Sequence, residues 1–111
     1  GLPWEDYADR HLFEPLGMAS STFREPWGAQ RTEAPMPAAL ADRVSRGYQW
    51  RAGAFVPGGF EYIGQIGPAG ALSTTAVDMA RWMLVHLGEG ELDGVRILGQ
   101  DTARLMHRQH Y

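Results

Sequence analysis

The stretch "GPAGALSTTAVDMARWM", residues 67–83, constrains the fold of this chain more than any other part. It opens on a Gly-Pro-Ala-Gly turn, passes through hydroxyl side chains and continues with helical apolar spacing. Thr75 and Asp78 have the spacing of a capping box, which predicts a helix that begins near Thr75. Ser73 and Thr74 are alternative caps. The sequence therefore predicts a glycine-rich loop joined directly to a well-capped helix.

The other predicted elements are short helices and strands separated by Pro- and Gly-rich turns, so the predicted fold class is mostly α with short β strands. Residues 18–47 predict a long irregular surface segment, since Pro and Gly recur within it. Three aromatic and methionine stripes are interpreted as core, namely Trp4/Tyr7, Tyr48/Trp50 and Met79/Trp82/Met83. The elements are a helix from Pro3 to near Phe13, a hairpin turning at Ala52-Gly53, a helix ending at Gly88, a turn at Asp93-Gly94 and a helix over residues 99–108.

Composition excludes several classes of function. The 111 residues allow one small domain at most, and the net charge of -3 comes without a long run of either sign, which argues against a nucleic-acid partner. No apolar stretch approaches the roughly 20 residues of a membrane-spanning helix. The chain has no cysteine and no lysine, so it offers no thiolate, Schiff-base lysine or P-loop lysine. The sequence predicts no cofactor.

The serines and histidines are the remaining candidates for chemistry. None of the serines lies in a G-x-S-x-G motif, and none precedes a lysine in Ser-x-x-Lys. Ser73 alone lies beside a Gly-rich turn, where a helix cap is favoured over a nucleophile. His107 and His110 lack the spacing of H-E-x-x-H; a polar helix end is favoured there over a zinc site, and His86 is predicted to be packed. The sequence thus predicts no metal site and no catalytic residue.

Four stretches, in this order, resemble the serine β-lactamase-related family, which includes class C β-lactamases, D-Ala-D-Ala carboxypeptidases and β-lactamase-like esterases. They are "GLPWEDYADRHLFEPLGMASSTF", "RGY" at Arg46–Tyr48, "PAGALSTTAVDMARWM" and "GELDGVRILGQDTARLM". Enzymes of this family attack with the serine of Ser-x-x-Lys, use a Tyr-x-Asn motif and complete the site with Lys-Thr-Gly or His-x-Gly. This chain has neither Lys nor Asn, so it contains no Ser-x-x-Lys, Tyr-x-Asn or Lys-Thr-Gly motif. The letters of His-x-Gly occur at His86-Leu87-Gly88, at the end of a predicted helix and not on a late strand.

The resemblance implies that residues 1–111 are a single internal segment, from the helical region of a larger β-lactamase/transpeptidase-like α/β domain. In the family the P-A-G stretch borders the substrate cleft, so Pro68, Ala69 and Gly70 are expected to bind substrate as wall and not as catalyst. The expected substrate is a small molecule or peptide, and members of the family are often periplasmic or secreted. Ala69 stands where class C β-lactamases have Tyr, which favours an esterase or peptidase relative.

Two alternatives stay open at this point. From spacing alone, the glycines around Pro68 also fit a tight turn with a purely structural role. The whole chain also fits a non-catalytic binding or structural domain that keeps the helical framework without the chemistry, because the lysine and asparagine of the family motifs are missing.

Overall fold

The structure is a computed structural model that describes residues 1–26, 34–63 and 66–110. It contains helices and short strands, which agrees with the predicted fold class at this level. The chain forms two compact units: Gly1–Thr22 with Thr74–Tyr111, and Phe23–Ser73. None of the helices in the described ranges is long and apolar enough to cross a membrane.

The first helix of the first unit confirms the predicted start after Pro3 and end at Phe13. It consists of α1 (Trp4–Ala8) and a π-helical segment (Asp9–Phe13). In the second part the backbone N–H of Glu14 donates to the carbonyl of Asp9 over 2.9 Å, a bond to the fifth preceding residue. The sequence pattern predicts only ordinary helical spacing, and the wider turn is a feature that the structure adds.

The helix predicted after the glycine-rich loop is α4 (Ala76–Leu87). Thr75 is the N-cap, and its hydroxyl oxygen accepts a hydrogen bond from the backbone N–H of Asp78 over 3.3 Å. The alternative caps Ser73 and Thr74 are therefore wrong. The predicted end is confirmed, since Gly88 is the C-cap residue.

The C-terminal part of the first unit follows its turn signals closely. Strands β3 (Glu91–Leu92) and β4 (Val95–Arg96) pair antiparallel, and both residues of the predicted Asp93-Gly94 turn have positive φ. Helix α5 (Gln100–Met106) lies inside the predicted range 99–108. The buried apolar residues of this unit are Ala8, Phe13, Leu16, Met18, Val85 and Ala103.

The core prediction fails for part of the stripes in this unit. Tyr7 and Met83 are 47% and 57% exposed, although both were expected inside. The apolar spacing is helical in both cases, but small residues such as Ala8 and Ala103 occupy the interior instead. Periodicity identified the helices correctly and assigned too many large side chains to their buried faces.

The second unit contains α2 (Ala38–Ala41), a hairpin of β1 (Tyr48–Arg51) and β2 (Ala54–Pro57), and α3 (Gly67–Gly70). The predicted hairpin turn is confirmed, since Ala52 and Gly53 have φ of 47° and 86°. The prediction that Tyr48 and Trp50 are core is wrong, because every residue of both strands is exposed. Trp50 packs instead on the cross-strand Phe55, with ring centroids 4.9 Å apart.

Candidate functional site

The three predicted cleft-wall residues form one exposed helical turn. Pro68, Ala69 and Gly70 all belong to α3 and all three are exposed, whereas Gly67 is buried. The backbone N–H of Ala71 donates to the carbonyl of Gly67 over 2.9 Å and closes the turn. The proline lies in the first turn of this short helix, where its missing N–H costs nothing. The structure thus brings the three residues together on a single surface.

This turn rests on a backbone that a buried carboxylate holds in place. A Cβ atom at Gly70 would lie 3.3 Å from Cγ2 of Ile63, so glycine permits the close packing of the two segments. The backbone N–H of Ile63 donates to Oε1 of Glu25 over 2.6 Å, and Glu25 is buried. The carbonyl of Glu25 accepts from the N–H of Met36. Sequence reasoning missed Glu25, because no local pattern links residues so far apart in the chain.

Ser73, a candidate nucleophile or helix cap, has no base beside it among the described residues. Its side chain is half-buried and forms no hydrogen bond with any residue in ranges 1–26, 34–63 and 66–110. A nucleophilic serine requires a base within about 2.6–3.2 Å. Since Thr75 is the helix cap, the capping role favoured for Ser73 is wrong.

A hydroxyl–carboxylate cluster, formed by Ser20, Ser21, Thr74 and Asp78, lies at the start of α4. Oδ2 of Asp78 accepts from the N–H of Ser20 and from the hydroxyl of Ser21, each over 2.8 Å. The Ser21 hydroxyl is also 2.8 Å from the hydroxyl of Thr74. A capping box would also have the Asp78 carboxylate accept from the backbone N–H of the cap residue. That expectation is wrong, because the carboxylate accepts from Ser20 and Ser21 instead.

This cluster joins two segments of the first unit. Ser21 and Asp78 are both only 6% exposed, so the hydroxyl is shielded from a substrate. Oδ2 of Asp78 already accepts from two protein donors. The geometry indicates a structural joint at the entry to α4.

The histidines pair differently from the sequence expectation. Nδ1 of His86 lies 3.1 Å from Nε2 of His107, and the ring of His86 packs edge-on against Trp82. The predicted packing of His86 thus involves an aromatic neighbour. His110 instead places Nε2 at 2.9 Å from the carbonyl of Leu105. Within the described ranges no group of three or more His, Asp or Glu side chains is placed to hold a metal ion.

A two-pronged ion pair in the first unit connects the residue after the end of α4 to α5. Nε and Nη2 of Arg104 donate to the two carboxylate oxygens of Glu89 over 2.8 and 2.9 Å, and Gln100 donates to the same carboxylate. The hydrogen bond from Arg104 and that from Gln100 lower the pKa of Glu89 below its ordinary value. The same hydrogen bond raises the pKa of Arg104. This fork–fork arrangement fixes helix position and carries no chemistry.

The site therefore consists of an exposed turn with a fixed backing, and no described residue pairs the nearby Ser73 hydroxyl with a base. A search of curated proteins finds no match for this chain. A family model described as Beta-lactamase matches residues 1–111, the entire chain. The chain belongs to the beta-lactamase family.

Proposed function

We propose that this chain is an internal segment of a serine hydrolase and supplies packing and one wall of the substrate cleft, without a catalytic residue of its own. The enzyme would cleave an ester, amide or β-lactam bond through an acyl-enzyme. The family match over residues 1–111 carries the proposal, since membership indicates a serine hydrolase-type parent.

The chemistry of the described residues supports a scaffolding role. An acyl-enzyme requires an activated serine, a base and oxyanion donors. No described residue accepts a hydrogen bond from the Ser73 hydroxyl, and Ser21 is buried against Asp78. The chain also lacks any lysine. In this proposal the serine and its base come from residues outside the 111.

The wall is assigned to Pro68, Ala69 and Gly70 because they are exposed on one turn whose inner side is fixed by Ile63. A preorganised surface holds a substrate with a smaller loss of freedom than a mobile one. The methyl group of Ala69 leaves space beside the substrate that a larger side chain would fill. The proposed substrates are therefore small molecules or peptides without a requirement for aromatic contact at this position.

Covalent labelling tests the absence of catalytic residues. The purified 111-residue chain is incubated with a fluorescent penicillin and, separately, with an activated ester, and the bound label is measured by intact-mass spectrometry. We expect no stoichiometric adduct with either reagent. A stoichiometric adduct on any serine would refute the claim that this chain carries no nucleophile.

Substitution tests the wall in the complete enzyme that contains this segment. Ala69→Tyr is expected to change the ratio of kcat/KM for a bulky and a small ester by about tenfold, since a filled contact in a cleft is worth about 1–3 kcal/mol. Ala34→Tyr, at another exposed alanine, is the matched control and should leave the ratio unchanged. An unchanged ratio in Ala69→Tyr would refute the wall. A complete protein that no acylating reagent labels would favour the non-catalytic domain instead.

A further inference from the structure

The second unit contains a cleft of about 320 Å³, formed by the chain after α2 and by the base of the hairpin. This volume lies at the lower end of the range for small-ligand sites, about 300–1,000 Å³. The N–H of Gly58 donates to the carbonyl of Gly47 over 2.8 Å and closes the base of the hairpin, so the wall on that side has a defined backbone. None of the residues proposed as cleft wall lines this second cleft.

The polar lining of the cleft consists of Asp42, Ser45 and Arg46. The carboxylate and the guanidinium carry opposite charges on one cleft, yet no ion pair or side-chain hydrogen bond joins either group to a residue in the described ranges. The Ser45 hydroxyl has no such partner either. The cleft thus presents a cation, an anion and a hydroxyl that form no side-chain hydrogen bond with the described part of the chain.

Other arginines of this chain show that such groups pair where an acid is within reach. Arg96 contacts Glu91 at 2.5 Å and Arg104 contacts Glu89 at 2.8 Å, although all these side chains are well exposed. Arg46 shares its cleft with Asp42 and does not pair with it. The separation of the two charges is therefore a property of this cleft.

Glycines leave the backbone of the cleft open to a ligand. A Cβ atom at Gly47 or at Gly59 would meet nothing within 4 Å, so neither glycine is required by packing inside the protein. Glycine at such positions permits another molecule to approach the main chain closely. Phe60 adds an apolar surface to the same lining.

We propose that this cleft binds a small zwitterion, with the carboxylate of the ligand on Arg46 and its ammonium group on Asp42. The planar guanidinium matches a carboxylate through two parallel hydrogen bonds, and an ammonium group satisfies a carboxylate as a compact charge. Ser45 and the open glycine backbone are available to the polar atoms between the two charges. This site goes beyond the proposed wall and uses none of its residues.

Titration with glycylglycine tests the proposal directly, with the ¹⁵N-labelled 111-residue chain observed by NMR. The amide signals of Gly47, Gly58 and Gly59 are expected to shift in a saturable way, with a Kd of about 1–10 mM for so small a ligand. N-acetylglycylglycine lacks the ammonium group and glycylglycinamide lacks the carboxylate. Each is expected to bind about tenfold more weakly, since each leaves one charge of the cleft without a partner.

Two variants locate the charges. Arg46→Gln and Asp42→Asn are both expected to weaken glycylglycine binding about tenfold, whereas Arg51→Gln, on the exposed hairpin outside the cleft, should bind like the parent chain. All three positions are exposed, and circular dichroism checks that each variant is folded. The proposal would be overturned if no saturable shift occurred below about 50 mM, or if the shifts lay away from the cleft. It would also be overturned if the three probes bound equally well, or if Arg46→Gln bound with unchanged affinity.

Discussion

Removing the carboxylate of Asp78 should destabilise the first unit more than any other loss of an acidic side chain that we consider. Asp78 is buried, and its Oδ2 accepts hydrogen bonds from the N–H of Ser20 and the hydroxyl of Ser21, both at 2.8 Å. Asp78→Ala leaves both donors without this acceptor. The cost therefore depends on the two lost bonds and on the partners that the donors retain.

The magnitude follows from these two bonds. A hydrogen bond to a charged group is worth about 1.5–3 kcal/mol, so two give about 3–6 kcal/mol. Ser21 keeps the hydroxyl of Thr74 at 2.8 Å as a partner, which moves the expected loss to the lower part of that range, about 3–4 kcal/mol. Domains of this size have a free energy of unfolding of about 5–15 kcal/mol, so the loss is a large fraction of the total.

Urea unfolding followed by circular dichroism measures the effect. With a slope of about 1.5 kcal/mol/M, the midpoint should fall by about 2 M in Asp78→Ala. Asp101→Ala is the matched control, because Asp101 is exposed in the first turn of α5, and it should cost less than about 1 kcal/mol. Equal losses in the two variants would refute the reasoning. So would a double-mutant cycle with Ser21→Ala that shows a coupling below about 0.5 kcal/mol.

Three smaller predictions concern a helix end, a hairpin turn and an ion pair, and the unfolding assay measures the first and the third. Gly88→Ala should cost about 1–3 kcal/mol, because its Cβ would lie 2.2 Å from the carbonyl oxygen of Glu91. Ala52→Asn should stabilise the hairpin by about 0.5 kcal/mol, since Ala52 has positive φ in a turn that favours Asn-Gly; amide exchange in the hairpin measures it. Arg104 lowers the pKa of Glu89, so this stabilisation is complete above the ordinary pKa of glutamate and is lost as the pH falls through the lowered value. Glu89→Gln should therefore unfold with a flatter acid limb below about pH 5, where the ordinary pKa of glutamate is approached.

Each of these predictions has an outcome that contradicts it. Gly59→Ala adds a Cβ into open space, and a loss as large as in Gly88→Ala would show that the close approach is not the cause. Faster amide exchange in the hairpin of Ala52→Asn would contradict the turn argument. Arg104→Met should flatten the acid limb as Glu89→Gln does, and a limb that persists in it would mean that the ion pair is not the source.

Local signals predicted the caps and turns because the relevant hydrogen bonds join residues within four positions of each other. The Thr75 cap is encoded by Thr75 and Asp78, and the two hairpin turns by Ala-Gly and Asp-Gly pairs. In each case the bond that decides the geometry forms inside the segment that carries the pattern. Tertiary packing was therefore not needed to predict these elements.

The end of α4 shows where a local rule gives the right boundary for an incomplete reason. Gly88 has negative φ, and the positive φ falls on Glu89. The N–H of Gly90 donates to the carbonyl of Val85 and that of Glu89 to His86, the two bonds of a Schellman motif. Glycine is the usual residue where Glu89 stands. A glutamate there accepts the strain of positive φ and gains the bonds from Arg104 and Gln100 on α5.

The long-range contacts had no sequence signal. The capping-box pattern predicted hydrogen bonds between Thr75 and Asp78 only. The Thr75 hydroxyl does accept from the Asp78 N–H, but the Asp78 carboxylate bonds to residues nearly sixty positions away. The prediction that Tyr48 and Trp50 are buried failed for a related reason. Alternation of apolar and polar residues identifies a strand but does not show whether another element covers it. Periodicity describes the element, whereas burial depends on its neighbours.

The candidate wall depends on the same kind of long-range contact, which bears on how it would retain its shape. The exposed atoms of Pro68 and Ala69 belong to a helix of one turn, and so short a helix has little stability of its own. Its support comes from Ile63, which packs against Gly70 and is held by the buried carboxylate of Glu25. Because Gly70 has no side chain, Ile63 packs directly against its backbone, and a displacement of Ile63 would shift the turn. The specificity of such a wall would therefore be set as much by the hidden carboxylate as by the three residues that face the solvent.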